Sequence, residues 1–209
     1  MPNSSPDLSN LPDTRDATLQ LLTDYGALEQ GHFLLASGRH SAFYINKTRL
    51  VEWPHVVDAM IRNRLARLRE LGRIDVVLSP AMGGVPVGQQ VGLVLQARAI
   101  YAERGADNSM GLKRGFEVRP GERVLLVEDV ITTGGTLREL RGFIQAQGGE
   151  IAGVFALVNR SGSPQWQGLP LVSCLEIEFP TYLPDEVPAE LSAVALTKPG
   201  TKQQANATA

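Results

Sequence analysis

Short apolar runs alternate with longer segments of helical periodicity along most of this chain. The runs are bounded by turn-forming residues and are mostly continuous, which is typical of strands buried on both faces of a parallel sheet. Strands are predicted at 74–79, 97–103, 124–127, 151–159 and 171–179, with helices over 54–71, up to about 96, and after 136. This order predicts an α/β fold with a doubly wound, mainly parallel sheet flanked by helices.

The two ends of the chain differ from this central part. A helix is predicted from about Thr14, followed by a hairpin with strands at 32–36 and 42–46. Residues 1–13 and 197–209 are rich in polar residues and proline and carry few apolar side chains, so we expect disorder there. We therefore expect one folded domain over 14–196.

Composition and charge narrow the class of protein. The net charge of −2 gives no global basic field, so nucleic acid is not an expected partner. The arginines at 62, 64, 67, 69 and 73 are interpreted as a solvated face of the helix predicted at 54–71. A single cysteine, Cys174, excludes an intrachain disulfide and favours a reducing compartment. Because no apolar run approaches the roughly 20 residues of a membrane span and no secretory signal is recognisable, we expect a cytoplasmic protein without membrane contact.

The stretch from Val124 to Thr136 carries the most specific chemistry. A buried strand leads into two acids, Glu128 and Asp129, and then into a loop of threonines and glycines before a helix. A helix start attracts phosphate through its unpaired N–H groups, and glycines let the backbone approach the ligand closely. The acids suit a sugar diol or a metal ion held through water, so a sugar phosphate satisfies the whole pattern. The structural alternative is a buried strand that ends in an acidic cap and a glycine turn.

This stretch resembles the phosphoribosyl pyrophosphate (PRPP) signature of type I phosphoribosyltransferases. In that family the two acids contact the ribose hydroxyls and the loop holds the 5′-phosphate. Mg²⁺ accompanies PRPP, with Asp129 the candidate for a contact with the ion, and both acids are candidate catalytic residues. The resemblance implies PRPP binding by Glu128, Asp129, Val130, Ile131, Thr132, Thr133, Gly134, Gly135 and Thr136.

A second loop of small residues follows the strand predicted at 74–79. It joins that strand to a helix and so repeats the strand, loop and helix order of the signature, which makes it a second potential anion site. In the resembled family the loop at this place binds the pyrophosphate of PRPP, which implies contacts from Ala81, Met82 and Gly83. Glycine alone is weak support, because turns between strands and helices often need it.

The polar segment from Arg104 to Lys113 has no apolar period and is predicted to be a mobile loop. Type I phosphoribosyltransferases carry here a flexible catalytic loop that closes over PRPP and excludes water. The resemblance makes Arg104 and Lys113 catalytic candidates that stabilise charge on the departing pyrophosphate, and Arg104 also a PRPP contact. The segment departs from many relatives because it has no histidine and few lysines. As an alternative, Lys113 and Arg114 are solvated charges that flank a hairpin.

The hairpin near the N-terminus resembles that of orotate phosphoribosyltransferases, where it forms a hood over the base. The matching residues are Phe33, Ser37-Gly38-Arg39, Ser41 and Tyr44-Ile45-Asn46-Lys47. The hood then covers about 14–50 and the core about 54–180. Some relatives have a lysine where Ala36 stands, and Lys47 is a candidate replacement. An ordinary solvent-facing hairpin is the alternative.

Arg160 follows the strand predicted at 151–159, and its planar guanidinium suits a carboxylate. In orotate enzymes an arginine at this place binds the carboxylate region of orotate. The resemblance therefore implies orotate contacts from Arg160, Tyr44, Ile45 and Thr132. A strand-end arginine in a surface ion pair is the alternative.

Together these resemblances imply an orotate phosphoribosyltransferase. It would transfer the phosphoribosyl group from PRPP to orotate, giving orotidine 5′-monophosphate and pyrophosphate in de novo pyrimidine (UMP) biosynthesis, and it would act as a homodimer. Two alternatives stay open: the same chemistry on another base, and a regulator that senses PRPP without catalysis.

Overall fold

A computed structural model describes Leu8 and residues 11–199, which form a large and a small sheet with flanking helices. The helices are α1 (Arg15–Asp24), α2 (Lys47–Val51), α3 (Pro54–Arg62), α4 (Leu65–Glu70), α5 (Gly84–Leu95), α6 (Gly135–Ala146) and α7 (Ala189–Ser192). The strands are β1 (Leu28–Leu34), β2 (His40–Ile45), β3 (Val76–Pro80), β4 (Arg98–Arg104), β5 (Met110–Leu112), β6 (Arg123–Ile131), β7 (Glu150–Asn159), β8 (Gln165–Trp166), β9 (Leu169–Glu176), β10 (Thr181–Tyr182) and β11 (Leu196–Thr197). Among these described residues, no helix is long and apolar enough to cross a membrane.

The large sheet has the strand order β5-β4-β3-β6-β7-β9-β8. The five central strands run parallel, and the short strands β5 and β8 pair antiparallel at the two edges. This arrangement confirms the predicted mainly parallel, doubly wound sheet. Because β3, β6 and β7 are parallel neighbours, the loops that follow them meet at the same edge of the sheet, where such folds bind ligands.

Alternate residues of the central strands fill two separate cores, one on each face of the sheet. In β6, Leu125 and Val127 belong to the first core, whereas Val124 and Leu126 belong to the second. All four side chains are fully buried. Each such side chain contributes on the order of 1.5–3 kcal/mol by its removal from water. The continuous apolar run is therefore the pattern expected of a strand covered by helices on both faces.

The helix predicted over 54–71 is broken into α3 and α4 near Arg64. The side chain of Arg64 turns inward and donates to the carbonyl oxygens of Ser173 and Cys174, both at 2.8 Å. It also forms an ion pair with Asp13. The predicted solvated basic face is therefore wrong at Arg64, because its donors are bonded to two β9 carbonyls inside the protein.

The segment predicted as a loop without regular structure at 104–113 is a hairpin. Met110–Leu112 pairs antiparallel with the end of β4, and the turn is held by Asp107, which accepts from the Ser109 backbone at 3.1 Å and from its hydroxyl at 2.8 Å. The prediction missed this strand because Met110 is its one buried residue, too few to give an apolar period. The mobility of the segment stays a prediction.

The N-terminal hairpin is present and belongs to a four-stranded sheet of order β10-β2-β1-β11. Its first strand begins at Leu28, earlier than predicted. Two short strands from the C-terminal segment, β10 and β11, complete the sheet, so it draws on residues beyond 14–50. Most of the disorder predicted at 1–13 and 197–209 falls on residues outside the described ones.

Candidate active site

Three loops and one turn meet at the carboxyl edge of the large sheet. They are the loop after β3, the acids at the end of β6 with the loop that follows, the residue after β7, and the turn between β2 and α2. Their closest contacts link Gly83, Asp129 and Lys47 on one side and Arg160 and Phe179 on the other. With Phe179 from the segment after β9, the topology therefore collects residues from five distant parts of the sequence into one site.

Asp129 is buried, with its side chain only 5% exposed. Its Oδ1 accepts from the Val130 backbone at 2.7 Å, whereas its Oδ2 has no hydrogen-bond partner in the described part of the chain. The Lys47 ammonium lies 3.0 Å from Oδ2, outside good hydrogen-bond geometry, and 3.3 Å from Oδ1. A buried carboxylate oxygen without a donor is costly, so it is well placed to receive a hydroxyl or a cation from a ligand.

Glu128 is partly buried, and no side-chain hydrogen bond to it is found among the described residues. Burial raises the pKa of its carboxyl to about 7, the negative charge of Asp129 acts in the same direction, and Lys47 opposes both. When no ligand is bound, Glu128 therefore keeps its proton to a higher pH than an ordinary glutamate does. A bound cation or ribose hydroxyls would favour the charged form.

The phosphate loop, Thr132–Thr136, has the geometry of an anion site. Thr132 and Thr133 are exposed, and Gly134 adopts a left-handed conformation with φ of +65° immediately before α6. Among the described residues, no side chain caps this helix start, so its first N–H groups face the loop without that partner. A side chain at Gly134 would collide with the indole Nε1 of Trp166. Sequence reasoning missed Trp166, because this residue lies about thirty positions further along the chain than Gly134.

Val130 and Ile131 are the last two residues of β6, immediately before the loop. Ile131 is fully buried in the second core, and its carbonyl accepts the Arg160 backbone N–H at 2.8 Å. Val130 is partly buried against the first core. The Ile131 side chain is therefore closed to the predicted PRPP contact, whereas the Val130 side chain is partly exposed.

Arg160 is held by an aromatic pair rather than by an acid. Its guanidinium carbon lies 5.7 Å from the ring centre of Phe179, and that ring stacks on Phe43 of β2 at 4.9 Å. Its Nε is buried and has no hydrogen-bond partner among the described residues, and burial lowers the pKa of the guanidinium. The alternative of a surface ion pair therefore does not describe this arginine. Sequence reasoning missed Phe43 and Phe179, which approach each other only in the folded chain.

The two predicted hood contacts differ in their exposure. Tyr44 is partly exposed and packs beside Phe33, with ring centres 5.6 Å apart. Ile45 is buried in the first core, only 6% exposed, because alternate residues of β2 face opposite sides. This corrects the expected side-chain contact of Ile45 with the base and leaves only its backbone for a ligand.

The second loop, Ala81–Gly83, lies directly against the acids. The Ala81 N–H donates to the Ala102 carbonyl at 2.8 Å, and the Met82 side chain is 82% exposed. The peptide bond between Ala81 and Met82 is cis. A side chain on Gly83 would collide with Asp129 Oδ2, so glycine is needed for the close approach of this loop to β6.

The structure does not bring Arg104 and Lys113 to the acids. Arg104 forms a two-pronged pair with Glu139 of α6 at 3.0 and 3.1 Å, and Lys113 donates to the Arg104 carbonyl at 3.1 Å. Arg114 pairs with Glu103 at 2.8 and 3.1 Å. In this conformation Lys113 and Arg114 flank a hairpin, as the alternative interpretation had it, but they are paired within the protein rather than solvated.

The acids do not form a metal site by themselves. Within the described ranges, no group of three or more His, Cys, Asp or Glu side chains could hold a metal ion. Asp129 Oδ2, which has no hydrogen bond among the described residues, nevertheless fits an ion that brings most of its ligands with it. This fits Mg²⁺, which commonly binds through one or two carboxylates, water and substrate phosphates.

Comparisons with known proteins agree with this geometry. Residues 46–182 match the phosphoribosyl transferase domain family. An orotate phosphoribosyltransferase of Caldicellulosiruptor bescii is 40% identical over 190 residues, which cover 91% of this chain and 99% of that protein. The crystal structure of orotate phosphoribosyltransferase from Aeropyrum pernix is 26% identical, with a TM-score of 0.65 over 76% of this chain and 92% of that one.

An adenine phosphoribosyltransferase from Thermoanaerobacter pseudethanolicus shares the fold, with 18% identity and a TM-score of 0.56 over 65% of this chain and 88% of that one. The fold by itself is thus common to enzymes named for different bases, whereas the similarity in sequence spans nearly the whole chain. On that similarity, this chain belongs to the orotate phosphoribosyltransferase family.

Proposed function

We propose that this protein transfers the 5-phosphoribosyl group of PRPP to orotate, giving orotidine 5′-monophosphate and pyrophosphate. The observation that carries the choice of base is the environment of Arg160. Its guanidinium is half-buried beside Phe179, follows the strand next to the phosphate loop, and lacks an acidic partner in the described residues. A base with a carboxylate supplies that missing partner, whereas uracil, adenine and hypoxanthine do not.

The reaction demands positioning and charge stabilisation more than covalent chemistry. A ring nitrogen of orotate bonds to the anomeric carbon of the ribose as the bond from that carbon to pyrophosphate breaks. The electron pair of the broken bond stays on pyrophosphate, and the proton of the ring nitrogen is released. The ribose gains positive character in between, which the carboxylates of Glu128 and Asp129 stabilise while they orient its hydroxyls.

The phosphate loop holds the 5′-phosphate through its exposed threonines and the N–H groups at the start of α6. The second loop, Ala81–Gly83, takes the pyrophosphate end of PRPP, since it lies against Asp129 on the side of β3. Between these two sites the ribose spans the acids. This placement matches the order of groups in PRPP, which carries phosphate on one side of the sugar and pyrophosphate on the other.

Orotate lies on the side of Arg160. The guanidinium pairs with the carboxylate of the base. Thr132, the exposed first residue of the phosphate loop, accepts or donates a further hydrogen bond. The stacked rings of Phe43 and Phe179 and the partly exposed Tyr44 provide the apolar surface for the flat ring.

Mg²⁺ accompanies PRPP in this proposal, with Asp129 as the protein oxygen open to it. The ion would neutralise charge on the pyrophosphate as it leaves. Arg104 and Lys113 stay candidates for the same task. A contact from either requires the β4–β5 hairpin to move, since Arg104 is paired with Glu139 and Lys113 with a backbone carbonyl.

In this proposal the reaction is a step of de novo pyrimidine (UMP) biosynthesis. It takes place in the cytoplasm, and the enzyme is a homodimer. The resemblance to the family supports these three points. Sedimentation analysis of the purified protein measures the dimer directly, and a single species of monomer mass at working concentration would exclude it.

The test of the function is the initial rate with PRPP and Mg²⁺ against orotate, uracil, adenine, guanine and hypoxanthine. Turnover with orotate alone is expected. Turnover with another base would keep the PRPP site and overturn the role of Arg160. Saturable PRPP binding without turnover on any base would favour the regulator that senses PRPP.

A further inference from the structure

The ammonium of Lys47 occupies a position that the fold does not require. Lys47 begins α2 directly after β2, and its backbone is fixed by Asn46, which caps the helix and donates to Glu29 at 2.9 Å. About half of the Lys47 side chain is exposed. A lysine at this position could extend into water, yet its Nζ points across the site to Asp129.

The same ammonium lies beside the second loop. A β-carbon built on Gly83 would be 3.3 Å from Lys47 Nζ and would collide with Asp129 Oδ2. Glycine therefore lets the ammonium, the carboxylate and the loop backbone meet at one point. A lysine ammonium has three donors, and among the described residues Lys47 pairs with Asp129 alone, so donors remain for a ligand on the loop.

The second loop has no cation of its own. Ala81, Met82 and Gly83 contribute backbone groups and a thioether, whereas a diphosphate needs positive charge nearby. The other basic candidates are engaged elsewhere, Arg104 with Glu139 and Arg114 with Glu103. Among the described residues, Lys47 is the base that the structure places in contact with both the loop and the acids.

We propose that Lys47 binds the diphosphate of PRPP and stabilises it as it leaves. Lys47 lies in the turn after the hood hairpin and supplies the cation that the second loop lacks. This inference rests on the proposed function. In the free protein the ammonium neutralises Asp129. Once PRPP is bound, it lies between the carboxylate that orients the ribose and the leaving group.

The test compares Lys47→Met with Arg49→Met, which removes one exposed positive charge from the same short helix. Binding of magnesium pyrophosphate, PRPP and ribose 5-phosphate is measured by calorimetry, together with steady-state rates. We expect Lys47→Met to weaken pyrophosphate and PRPP binding by about 10- to 100-fold, with ribose 5-phosphate changed less than about threefold. Arg49→Met should leave all three near the wild-type values, and Lys47→Arg should restore part of the pyrophosphate affinity.

Each other outcome overturns the proposal in a distinguishable way. Equal losses for ribose 5-phosphate and pyrophosphate would mean that Lys47 only positions Asp129. Pyrophosphate binding unchanged in Lys47→Met, in an enzyme that still converts orotate, would remove Lys47 from the diphosphate site while leaving the proposed function intact. If the wild-type protein binds neither PRPP nor pyrophosphate, the function fails and the inference fails with it.

Discussion

At the scale of single residues, charged side chains differ in whether their buried polar atoms have hydrogen-bond partners in the described part of the protein. Arg104, Arg114 and Arg64 are paired or hydrogen-bonded within the protein. Arg160 Nε and Asp129 Oδ2 are buried without hydrogen bonds among the described residues. Because an unsatisfied buried polar atom costs free energy, these two atoms are the ones from which a ligand gains most.

Replacing Arg160 tests the choice of base. Arg160→Gln should raise the KM for orotate about 100-fold, because the variant loses the charged partner of the orotate carboxylate, an effect of about 2–4 kcal/mol. The affinity for PRPP should change less than about threefold. Arg119→Gln, an exposed arginine paired with Glu117, is the control and should behave as wild type. Equal losses for orotate and PRPP would count against the assignment.

The raised pKa of Glu128 predicts a dependence of stability on pH. Between the ordinary value of 4.5 and about 7, the native state holds a proton that the unfolded chain has released, so stability falls as pH rises through this window. Glu128→Gln removes this loss. Without ligand, the variant should be more stable than wild type at pH 8 by about 1–3 kcal/mol, and this advantage should shrink towards pH 5. Urea unfolding at the two pH values measures it, and an advantage that does not change with pH would show that Glu128 has an ordinary pKa.

At the scale of elements, the proposed phosphate site depends on the N-terminal end of α6 rather than on the length of the helix. The phosphate loop depends on the left-handed Gly134, just before α6, and on the packing of Trp166 against it, whereas the exposed Gly142 within α6 faces open space. These two glycines therefore have opposite expected responses to the same substitution.

Gly134→Ala should destabilise the protein by about 1–3 kcal/mol and weaken PRPP binding at least tenfold, because a β-carbon is strained at this φ and meets the indole of Trp166. Gly142→Ala should instead stabilise the protein by about 0.5–1 kcal/mol with unchanged PRPP affinity. Thermal unfolding and calorimetry measure both. Wild-type PRPP affinity in Gly134→Ala would remove the loop from the phosphate site.

At the scale of the whole molecule, long-range contacts tie the helix layer, the large sheet and the hood together. Arg64 links the break between α3 and α4 to β9, and the stack of Phe43 on Phe179 links the hood to the segment after β9. The C-terminal strands β10 and β11 also pair with the hood hairpin. We therefore expect the Arg64 contacts to affect the stability of the fold, and the stack of Phe43 on Phe179 to affect recognition of the base.

Arg64→Met tests this separation. The change keeps most of the side-chain volume but removes the donors to Ser173 and Cys174, so stability should fall by about 1–3 kcal/mol. Rates with PRPP and orotate should stay within about twofold of wild type, because Arg64 lies in a contact with β9 rather than with the acids. The exposed Arg67, changed to Met, is the control for stability. A large loss of activity in folded Arg64→Met would show that the helix break communicates with the site.

The amino-acid sequence by itself determined the mainly parallel sheet, the order of its main strands and helices along the chain, and the position of the loop between β6 and α6. These features depend on local periodicity and on residues next to one another, such as the apolar run that ends in Glu128 and Asp129. It also placed Arg160 at a strand end, since parallel strands bring their carboxyl ends to one edge. Apolar periodicity and turn-forming residues predict a helix or a strand correctly where residues adjacent in the sequence determine it.

Only the tertiary structure decided which residues complete the site. Lys47 and Asp129 are 82 positions apart, Arg64 and Ser173 are 109 apart, and no periodicity records such pairs. The burial of Ile45 and the pairing of Arg104 with Glu139 likewise depend on which elements pack together. Side-chain partners across the fold are set by the packing of the whole chain, because burial and charge act through space rather than along the sequence.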